Sequence, residues 1–232
     1  MILSIVIPVW NGEKYIEESI RSALSLKLPE EITELEILVA DDGSEDASAQ
    51  IAGSFQEVTV LRLSHRNTAA ARNAGIRKSK GEFLFFLDAD DVLEEDAAMN
   101  LLSPLLEDPS VMVTIGLTED FISPELIPDE KRKILPRTDP YEGCIAGCVM
   151  IRRQVLLEND AGLFDETLTS GEGVDWLLKL RQSGKKIRKV PATTCLRRLH
   201  LTNTGRRAAG EEMKNYAAIL RKMRRIKKDG EI

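Results

Sequence analysis

The feature that most constrains this chain is a short apolar run that ends abruptly in carboxylates. Residues 84–87 are Leu-Phe-Phe-Leu, and the next four positions include Asp88, Asp90 and Asp91. A Phe-rich run of this length is typical of a strand buried on both faces of a parallel sheet. The carboxylates then lie at the carboxyl end of the strand, where open α/β sheets bind their ligands.

Three carboxylates at one strand end repel one another unless a cation lies between them. Hard oxygen ligands select Mg²⁺ or Mn²⁺, which commonly bridge to a phosphate. We therefore interpret Asp88-Ala89-Asp90-Asp91 as a candidate metal site. The alternative is that Asp90 or Asp91 only caps a helix that begins near Glu94. One carboxylate is enough for a cap, so a cap alone does not explain three.

A second acidic strand end precedes this one in the chain. Residues 35–40 form an apolar run that leads into Asp41 and Asp42, and Gly43 then permits a turn with positive φ. A third apolar run, residues 2–7, ends at a proline-containing turn segment. Because the carboxyl ends of parallel strands share one edge of a sheet, we expect these three strand ends to lie together.

Four motifs follow one another in the first 91 residues: Pro8-Val9-Trp10-Asn11, Asp41-Asp42-Gly43-Ser44, Ala71-Arg72-Asn73-Ala74-Gly75 and Asp88-Ala89-Asp90-Asp91. In this order they resemble the family 2 glycosyltransferases, which have the GT-A fold. The resemblance continues to about His200, so it covers all of the chain but its C-terminal tail. It implies an α/β fold with a Rossmann-type mixed, mostly parallel sheet flanked by helices. It also implies inverting transfer of a sugar from a nucleotide-sugar donor to a hydroxyl acceptor.

The resemblance also assigns roles to single residues. The nucleotide would be bound by Pro8, Trp10, Asn11, Asp41, Arg72 and Asp88. Asp90 and His200 would bind Mn²⁺ or Mg²⁺, and Arg198 would bind the diphosphate. A UDP-sugar is the favoured donor, with GDP- and dTDP-sugars as alternatives. From the residues alone, Trp10 is equally typical of a half-buried packing side chain, and Arg72 of a helix surface.

The catalytic base is the position at which the sequence departs from the family. The family places Glu-Asp at the start of a late helix, with the Asp as the base, whereas this chain has Gly173 in the place of that Asp. Glu172 and Asp175 remain, and either can deprotonate an acceptor hydroxyl that comes within its reach. Asp175 is equally suited to be the N-cap of this helix.

The missing Asp defines a rival function, namely a catalytically inactive family member that binds nucleotides and acts as a partner or regulator. Gly173 favours this rival, whereas Asp88, Asp90 and His200 favour the enzyme. A nucleotidyltransferase on a similar sheet is a third function. It would need a Gly-rich basic loop after the first strand, and Pro8-Val9-Trp10-Asn11-Gly12 is not such a loop.

Composition limits the partners and the location. A formal net charge of −6 argues against nonspecific binding of nucleic acid. The N-terminus lacks the pattern of a signal peptide, and no apolar stretch approaches the length of a membrane span. These features predict a cytoplasmic protein with at most peripheral contact with the inner face of the membrane. We expect a saccharide or a lipid-linked compound as the acceptor, and a homodimer is a further hypothesis.

The order of elements predicts one glycosyltransferase domain over residues 1–205, with a nucleotide-binding half at 1–117 and an acceptor and catalytic half at 141–205. Residues 118–140 contain four prolines and are expected to form a surface excursion. Residues 206–232 are rich in Arg and Lys, with apolar residues at helical spacing. We expect this helical tail to pack on the domain; the alternative is contact with an anionic membrane or a lipid-phosphate acceptor.

Overall fold

The computed structural model describes residues 1–65, 67–142, 147–157, 162–168 and 170–203. The predicted basic tail, residues 206–232, and Cys144 lie outside the described residues. Within the described ranges, no helix combines the length and the apolar character that crossing a bilayer requires.

The described strands form one mixed sheet. In chain order they are β1 (Ile2–Val9), β2 (Glu34–Asp41), β3 (Val58–Arg62), β4 (Phe83–Phe86), β5 (Val92–Leu93), β6 (Val111–Ile122), β7 (Tyr141–Glu142), β8 (Val149–Arg152) and β9 (Lys186–Leu199). The sheet order is β3-β2-β1-β4-β8-β6-β9-β5, with β7 paired to β6. β1 is parallel to β2 and β4, β2 to β3, and β6 to β9, whereas β8 is antiparallel to β4 and β6. The expected mixed, mostly parallel sheet is confirmed.

Helices cover both faces of this sheet. They are α1 (Ile16–Leu24), α2 (Ser48–Ala52), α3 (Thr68–Lys78), α4 (Ala97–Glu107), α5 (Pro128–Lys131), α6 (Arg153–Leu157) and α7 (Glu172–Gln182). Successive residues of a strand point to opposite faces. Ile5 packs in one apolar cluster with Ile20 of α1, and Val6 packs in another with Ile76 of α3 and Trp176 of α7. Burial on both faces explains the continuous apolar runs of the parallel strands.

The strand register brings the predicted strand ends to one edge. Val9 at the end of β1 pairs with Asp41 at the end of β2. On the other side of β1, Val6 pairs with Phe86 at the end of β4. The acidic turn that follows β4 therefore lies beside the ends of β1 and β2, as the sequence predicts.

β9 is longer and more continuous than the sequence predicts, and its end lies beside the acidic turn. The sequence predicts two short strands, 187–190 and 194–199, whereas the structure has one strand, Lys186–Leu199. Pro191 lies where the pairing of β9 with β6 shifts register, and such irregular pairing tolerates a residue without an N–H group. β5 pairs antiparallel with β9 near Leu196, which brings the end of β9 to the acidic turn.

Two other interpretations of the sequence are wrong. β6 continues to Ile122, because its last residues pair with the end of β9, so the first part of the predicted surface excursion belongs to the sheet. The helix after the acidic turn begins at Ala97 with Asp96 at its N-cap. Neither Asp90 nor Asp91 caps that helix, so the capping interpretation of the turn fails.

α3 packs so closely on β1 that glycine is required at the contact. A Cβ added at Gly75 would lie 3.0 Å from Val6 Cγ2 and even closer to Val6 Cγ1. Val6 is fully buried, and its β-branched side chain is stiff at χ1, so it cannot turn away. The glycine of the Ala-Arg-Asn-Ala-Gly motif is therefore a packing residue that sets the distance of Arg72 from the sheet.

We expect Gly75→Ala to destabilise the protein by about 1–3 kcal/mol, as overpacking of a core does. At an uncrowded helix position the same change would instead stabilise by up to about 1 kcal/mol, so the sign of the effect tests the contact. Urea unfolding measures the change in the free energy of unfolding. Lys78→Ala, on the exposed side of the same helix, is the control and should change stability by less than about 0.5 kcal/mol. A Gly75→Ala protein as stable as wild type would contradict the tight packing.

Candidate active site

Three carboxylates form the centre of the site, in the turn between β4 and β5. Oxygen atoms of Asp88, Asp90 and Asp91 lie within 4.8 Å of one another. The N–H of Asp91 closes the turn by donating to the carbonyl of Asp88 (3.1 Å). Burial and the charge of Asp90 raise the pKa of Asp91 well above its usual value. Burial also raises the pKa of Asp88. The turn is therefore an unfavourable concentration of negative charge.

A single guanidinium links this turn to α7. Arg72 of α3 donates from Nη2 to Asp88 Oδ1 and from Nη1 to Glu172 Oε1, both at 2.7 Å. Its side chain is 6% exposed and lies over the ring of Phe164. Burial alone would lower the pKa of Arg72, but the charges of Asp88 and Glu172 outweigh burial and raise it. Arg72 is therefore a buried bridge, not the plain surface arginine that the sequence alone also allows.

Asp90 is held from the side of β9. Its Oδ2 accepts from His200 Nε2 (2.9 Å) and from Asn203 Nδ2 (3.2 Å). The other ring nitrogen of His200, Nδ1, lies 2.8 Å from Thr202 Oγ1. The His200 ring also packs against Tyr15, with the ring centroids 4.7 Å apart. The structure thus brings the two predicted metal residues, Asp90 and His200, into direct contact.

Arg198 is buried behind the acidic turn. Its Nε donates to the carbonyl of Asp90 and its backbone N–H donates to Asp91 Oδ1, both at 2.9 Å. Nη2 donates to Glu18 Oε2 of α1 (2.6 Å). The guanidinium lies between the rings of Tyr15 and Phe121, and the side chain is 2% exposed. Arg198 thus fixes the backbone of the turn; its contact with a diphosphate remains a prediction.

The residues predicted to bind the nucleoside lie at the ends of β1 and β2. Pro8 is buried in β1, and Trp10, two residues further on, is 51% exposed. Asn11 has φ of 50° and makes two hydrogen bonds to the turn after β2. Asp41 is fully buried, with its Oδ2 atom 3.3 Å from Arg62 Nη1. These side chains share the sheet edge with the acidic turn.

Glu172 and Asp175 lie in the first turn of α7 in different surroundings. α7 begins at Glu172 with Gly171 at the N-cap, so the interpretation of Asp175 as the N-cap is wrong. The Glu172 side chain is 17% exposed and pairs with Arg72. The Asp175 side chain is 5% exposed, and its Oδ2 lies 2.6 Å from Lys179 Nζ. Of the two candidate bases, Glu172 is the one that the described contacts link to the acidic turn.

Sequence reasoning missed the residues that support the site from behind. Glu18 is the counter-ion of the buried arginine, and Tyr15 donates from its hydroxyl to Glu125 Oε1 (2.6 Å) beside the His200 ring. Burial, together with Glu125, raises the pKa of Tyr15 to about 12. No pattern distinguishes these glutamates from others in the sequence. Asn203 carried a usable signal, because it lies three residues after His200 in a polar segment.

The donor set of the turn fits a hard divalent cation. Within the described part of the chain, Asp88 Oδ2 and Asp90 Oδ1 accept no hydrogen bond. Both oxygens of Asp91 are engaged, by the Arg198 N–H and by the thiol of Cys195. Carboxylate oxygens are the ligands that Mg²⁺ and Mn²⁺ prefer. A cation at Asp88 and Asp90 would also offset the charge that raises the pKa values of the turn.

Known proteins resemble this chain in sequence. The sequence matches the family described as "Glycosyl transferase family 2" over residues 4–159. It is 29% identical over 195 residues to an uncharacterized glycosyltransferase of Rickettsia typhi. The aligned segment covers 78% of this chain and 59% of that protein.

Solved structures share the fold at low identity. Staphylococcus aureus TarS 1–349 in complex with UDP-GlcNAc has a TM-score of 0.67 at 21% identity, over 88% of this chain and 60% of that one. GalNAc-T7 with UDP, GalNAc and Mn²⁺ has a TM-score of 0.67 at 24% identity, over 86% of this chain and 44% of that one. These likenesses confirm the GT-A-like fold. The chain spans less than two thirds of the length of each of these proteins.

We expect Asp91→Asn to stabilise the metal-free protein at pH 8. Because burial raises the pKa of Asp91 in the folded chain, its ionised form destabilises the fold above that pKa. This cost disappears as the pH falls toward the unfolded-state pKa of about 4. Asparagine still accepts from the Arg198 N–H. Calorimetry with EDTA should show a Tm higher by about 2–4 °C, which corresponds to about 1 kcal/mol at this chain length.

The gain from Asp91→Asn should shrink as the pH is lowered from 8, because the raised pKa lets wild-type Asp91 take up its proton in the folded chain before it does so in the unfolded chain. Asp129→Asn, an exposed carboxylate on α5, is the control and should show no such trend. A gain that does not change with pH, or a lower Tm at pH 8, would argue against a buried charge at Asp91.

Proposed function

The chain belongs to glycosyl transferase family 2, and on that premise we propose that it transfers a sugar from a nucleoside-diphosphate sugar to a hydroxyl acceptor. The observation that carries the proposal is the cluster of Asp88, Asp90 and Asp91 at the carboxyl ends of parallel strands, in which Asp88 is paired with Arg72. The UDP-GlcNAc complex of TarS and the UDP complex of GalNAc-T7 support a UDP-sugar as the donor. GDP- and dTDP-sugars are the alternatives.

We assign the nucleoside pocket to the edge formed by β1, β2, β4 and α3, with the residues Pro8, Trp10, Asn11, Asp41, Arg72 and Asp88. The exposed indole of Trp10 offers a face for a planar base. In this assignment Asp41 accepts from the edge of the base, and Asp88, oriented by Arg72, faces the ribose.

We propose that Asp90 and His200, with Asp88 beside them, hold Mn²⁺ or Mg²⁺; as a ligand, His200 Nε2 would give up the hydrogen bond that it now makes to Asp90. When bound, such an ion acts as a Lewis acid that neutralises charge on the leaving diphosphate. Arg198 remains the proposed diphosphate residue. Its bond to the Asp90 carbonyl already gives it a second task, which is to keep the Asp90 carboxylate in place.

We propose Glu172 as the catalytic base, with Asp175 as the alternative, because Glu172 is the more exposed and adjoins the acidic turn through Arg72. In an inverting transfer, the base takes the proton of the acceptor hydroxyl. The acceptor oxygen bonds to the sugar carbon as the bond from that carbon to the diphosphate breaks. The Arg72 contact fixes the position of the Glu172 carboxylate for this step.

The second candidate function is an inactive family member that binds nucleotide as a partner or regulator. Two observations favour it: Gly173 stands where the family has its base, and both remaining carboxylates are in ion pairs. Binding of a UDP-sugar without transfer or donor hydrolysis would support this function over the enzyme.

Further properties of the whole protein are proposals. We propose one domain over residues 1–205, since strands from both predicted halves belong to one sheet. The acceptor is a saccharide or a lipid-linked compound, and the chain forms a homodimer. The cytoplasmic location and the peripheral membrane contact remain predictions, and the tail that would make this contact lies outside the described residues.

Replacement of Asp90 tests the metal-dependent part of nucleotide binding. We expect Asp90→Asn to weaken UDP binding in the presence of Mn²⁺ by about 10- to 100-fold, because a neutral amide is a poor ligand for a hard cation. Binding without Mn²⁺ should change little. Calorimetric titration of UDP with and without Mn²⁺ measures both values, and Asp129→Asn is the control. Equal Mn²⁺ dependence in wild type and Asp90→Asn would remove the metal assignment.

Amide substitutions separate the two candidate bases. We expect Glu172→Gln to lower kcat for transfer or donor hydrolysis by about 10²–10⁴-fold, the usual contribution of a general base, with UDP affinity largely unchanged. Asp175→Asn should have the smaller effect on kcat. Release of UDP from a panel of UDP-sugars, with and without saccharide acceptors, measures the rates. Full activity in both amide variants would place the base elsewhere.

A further inference from the structure

Two aromatic rings lie together on the exposed side of the sheet edge to which we assign the nucleoside pocket. Trp10, after β1, and His65, after β3, are stacked with their centroids 4.6 Å apart and their planes 23° apart. Trp10 is 51% exposed and the His65 side chain is 53% exposed. Neither ring belongs to the apolar clusters on the two faces of the sheet, so the stack does not serve the core.

His65 is also tied to the second acidic strand end. Its Nδ1 lies 3.0 Å from Asp42 Oδ2 and 3.0 Å from the Asp42 carbonyl oxygen. Both partners are acceptors, so we assign a proton to Nδ1, and in the neutral ring Nε2 is then an acceptor. Asp42 is 3% exposed. A buried carboxylate therefore fixes the orientation of a half-exposed ring.

The backbone between β2 and α2 is shaped to let His65 approach. Gly43 has φ of 76°, and a Cβ added there would lie 3.0 Å from the backbone nitrogen of His65 and 3.2 Å from its Cβ. Glycine adopts this φ without strain and leaves the space open. The glycine of the Asp-Asp-Gly-Ser motif thus permits the contact that places His65 against Trp10.

We propose that His65 determines the specificity of this site for the base of the nucleotide donor. This inference rests on the proposed function, which puts the nucleoside against Trp10 and Asp41. Stacking on His65 holds the Trp10 ring in one orientation before the base arrives, so less ordering is needed on binding. The acceptor at Nε2 favours a base with a protonated ring nitrogen, such as N3 of uracil, over adenine, whose free ring nitrogens are all acceptors. The ligand class is a nucleoside diphosphate with such a base.

The test compares binding of UDP, ADP and pyrophosphate, each with Mn²⁺, to the full chain by calorimetry. His65→Ala should weaken UDP binding about tenfold, the scale of one base–aromatic contact. It should leave pyrophosphate binding unchanged and reduce the preference for UDP over ADP. His65→Phe keeps a ring for stacking but loses the bond to Asp42, so it should recover most of the UDP affinity but not the preference.

Tryptophan fluorescence gives an independent readout of the same stack. The chain has two tryptophans, and Trp176 is 1% exposed, so acrylamide quenching reports mainly on Trp10. UDP should protect Trp10 from acrylamide in wild type and protect it less in His65→Ala. Pyrophosphate should give no protection in either protein.

The other histidine of the chain supplies a matched control. His200→Ala should weaken UDP and pyrophosphate binding alike and keep the preference for UDP over ADP, because His200 contacts Asp90 and not the nucleoside edge. The inference is overturned if His65→Ala leaves both affinity and preference unchanged, or lowers UDP and pyrophosphate affinity in equal proportion. A wild-type chain that binds none of the three ligands would overturn the proposed function together with this inference.

Discussion

The bridge from Arg72 to Asp88 and Glu172 is the interaction on which the rest of the site depends. One buried guanidinium satisfies a carboxylate of the acidic turn and a carboxylate at the start of α7. Removal of one partner from a fully buried ion pair leaves an uncompensated charge, at a cost of about 3–5 kcal/mol. The cost at Asp88 is smaller, because its side chain is 37% exposed to solvent. Arg72 can form this bridge only if α3 lies at the right distance from the sheet. Gly75 sets that distance, because it allows α3 to pack closely on Val6.

Side chains from two distant parts of the sequence contact the acidic turn. Arg72 approaches from α3, while Arg198 and His200 approach from the end of β9, more than 100 residues later in the chain. Burial and mutual repulsion raise the pKa values of Asp88 and Asp91, while Arg72 and the backbone N–H of Arg198 act against this shift without cancelling it. These supports fix the carboxylates close together before any ligand binds. Such preorganisation is what a site needs when it must bind charge without rearranging.

The sequence predicts the parts of the site that follow from strand patterns and motif order. Asp41 and Asp88 are found at the edge that apolar runs ending in carboxylates indicate. The contacts of Glu18 with Arg198 and of Tyr15 with Glu125 are not predictable in this way. Each joins residues more than 100 positions apart, and no local sequence pattern relates the two partners. The single long β9 was missed because Pro191 suggests a break, whereas a register shift accommodates it.

The position of Glu172 links the proposed base to the acidic turn. Glu172 opens α7, where the helix dipole favours a negative charge, and Asp175 is committed to a pair with Lys179 one turn later. Because Asp88 and Glu172 share one guanidinium, a ligand that draws Asp88 toward itself changes the surroundings of Glu172 without touching it. Residues that share a partner in this way do not act additively. Gly173 stands where the family has its usual carboxylate, so of the two carboxylates left in this helix turn, Glu172 depends on the arginine that organises the acidic turn and Asp175 on Lys179.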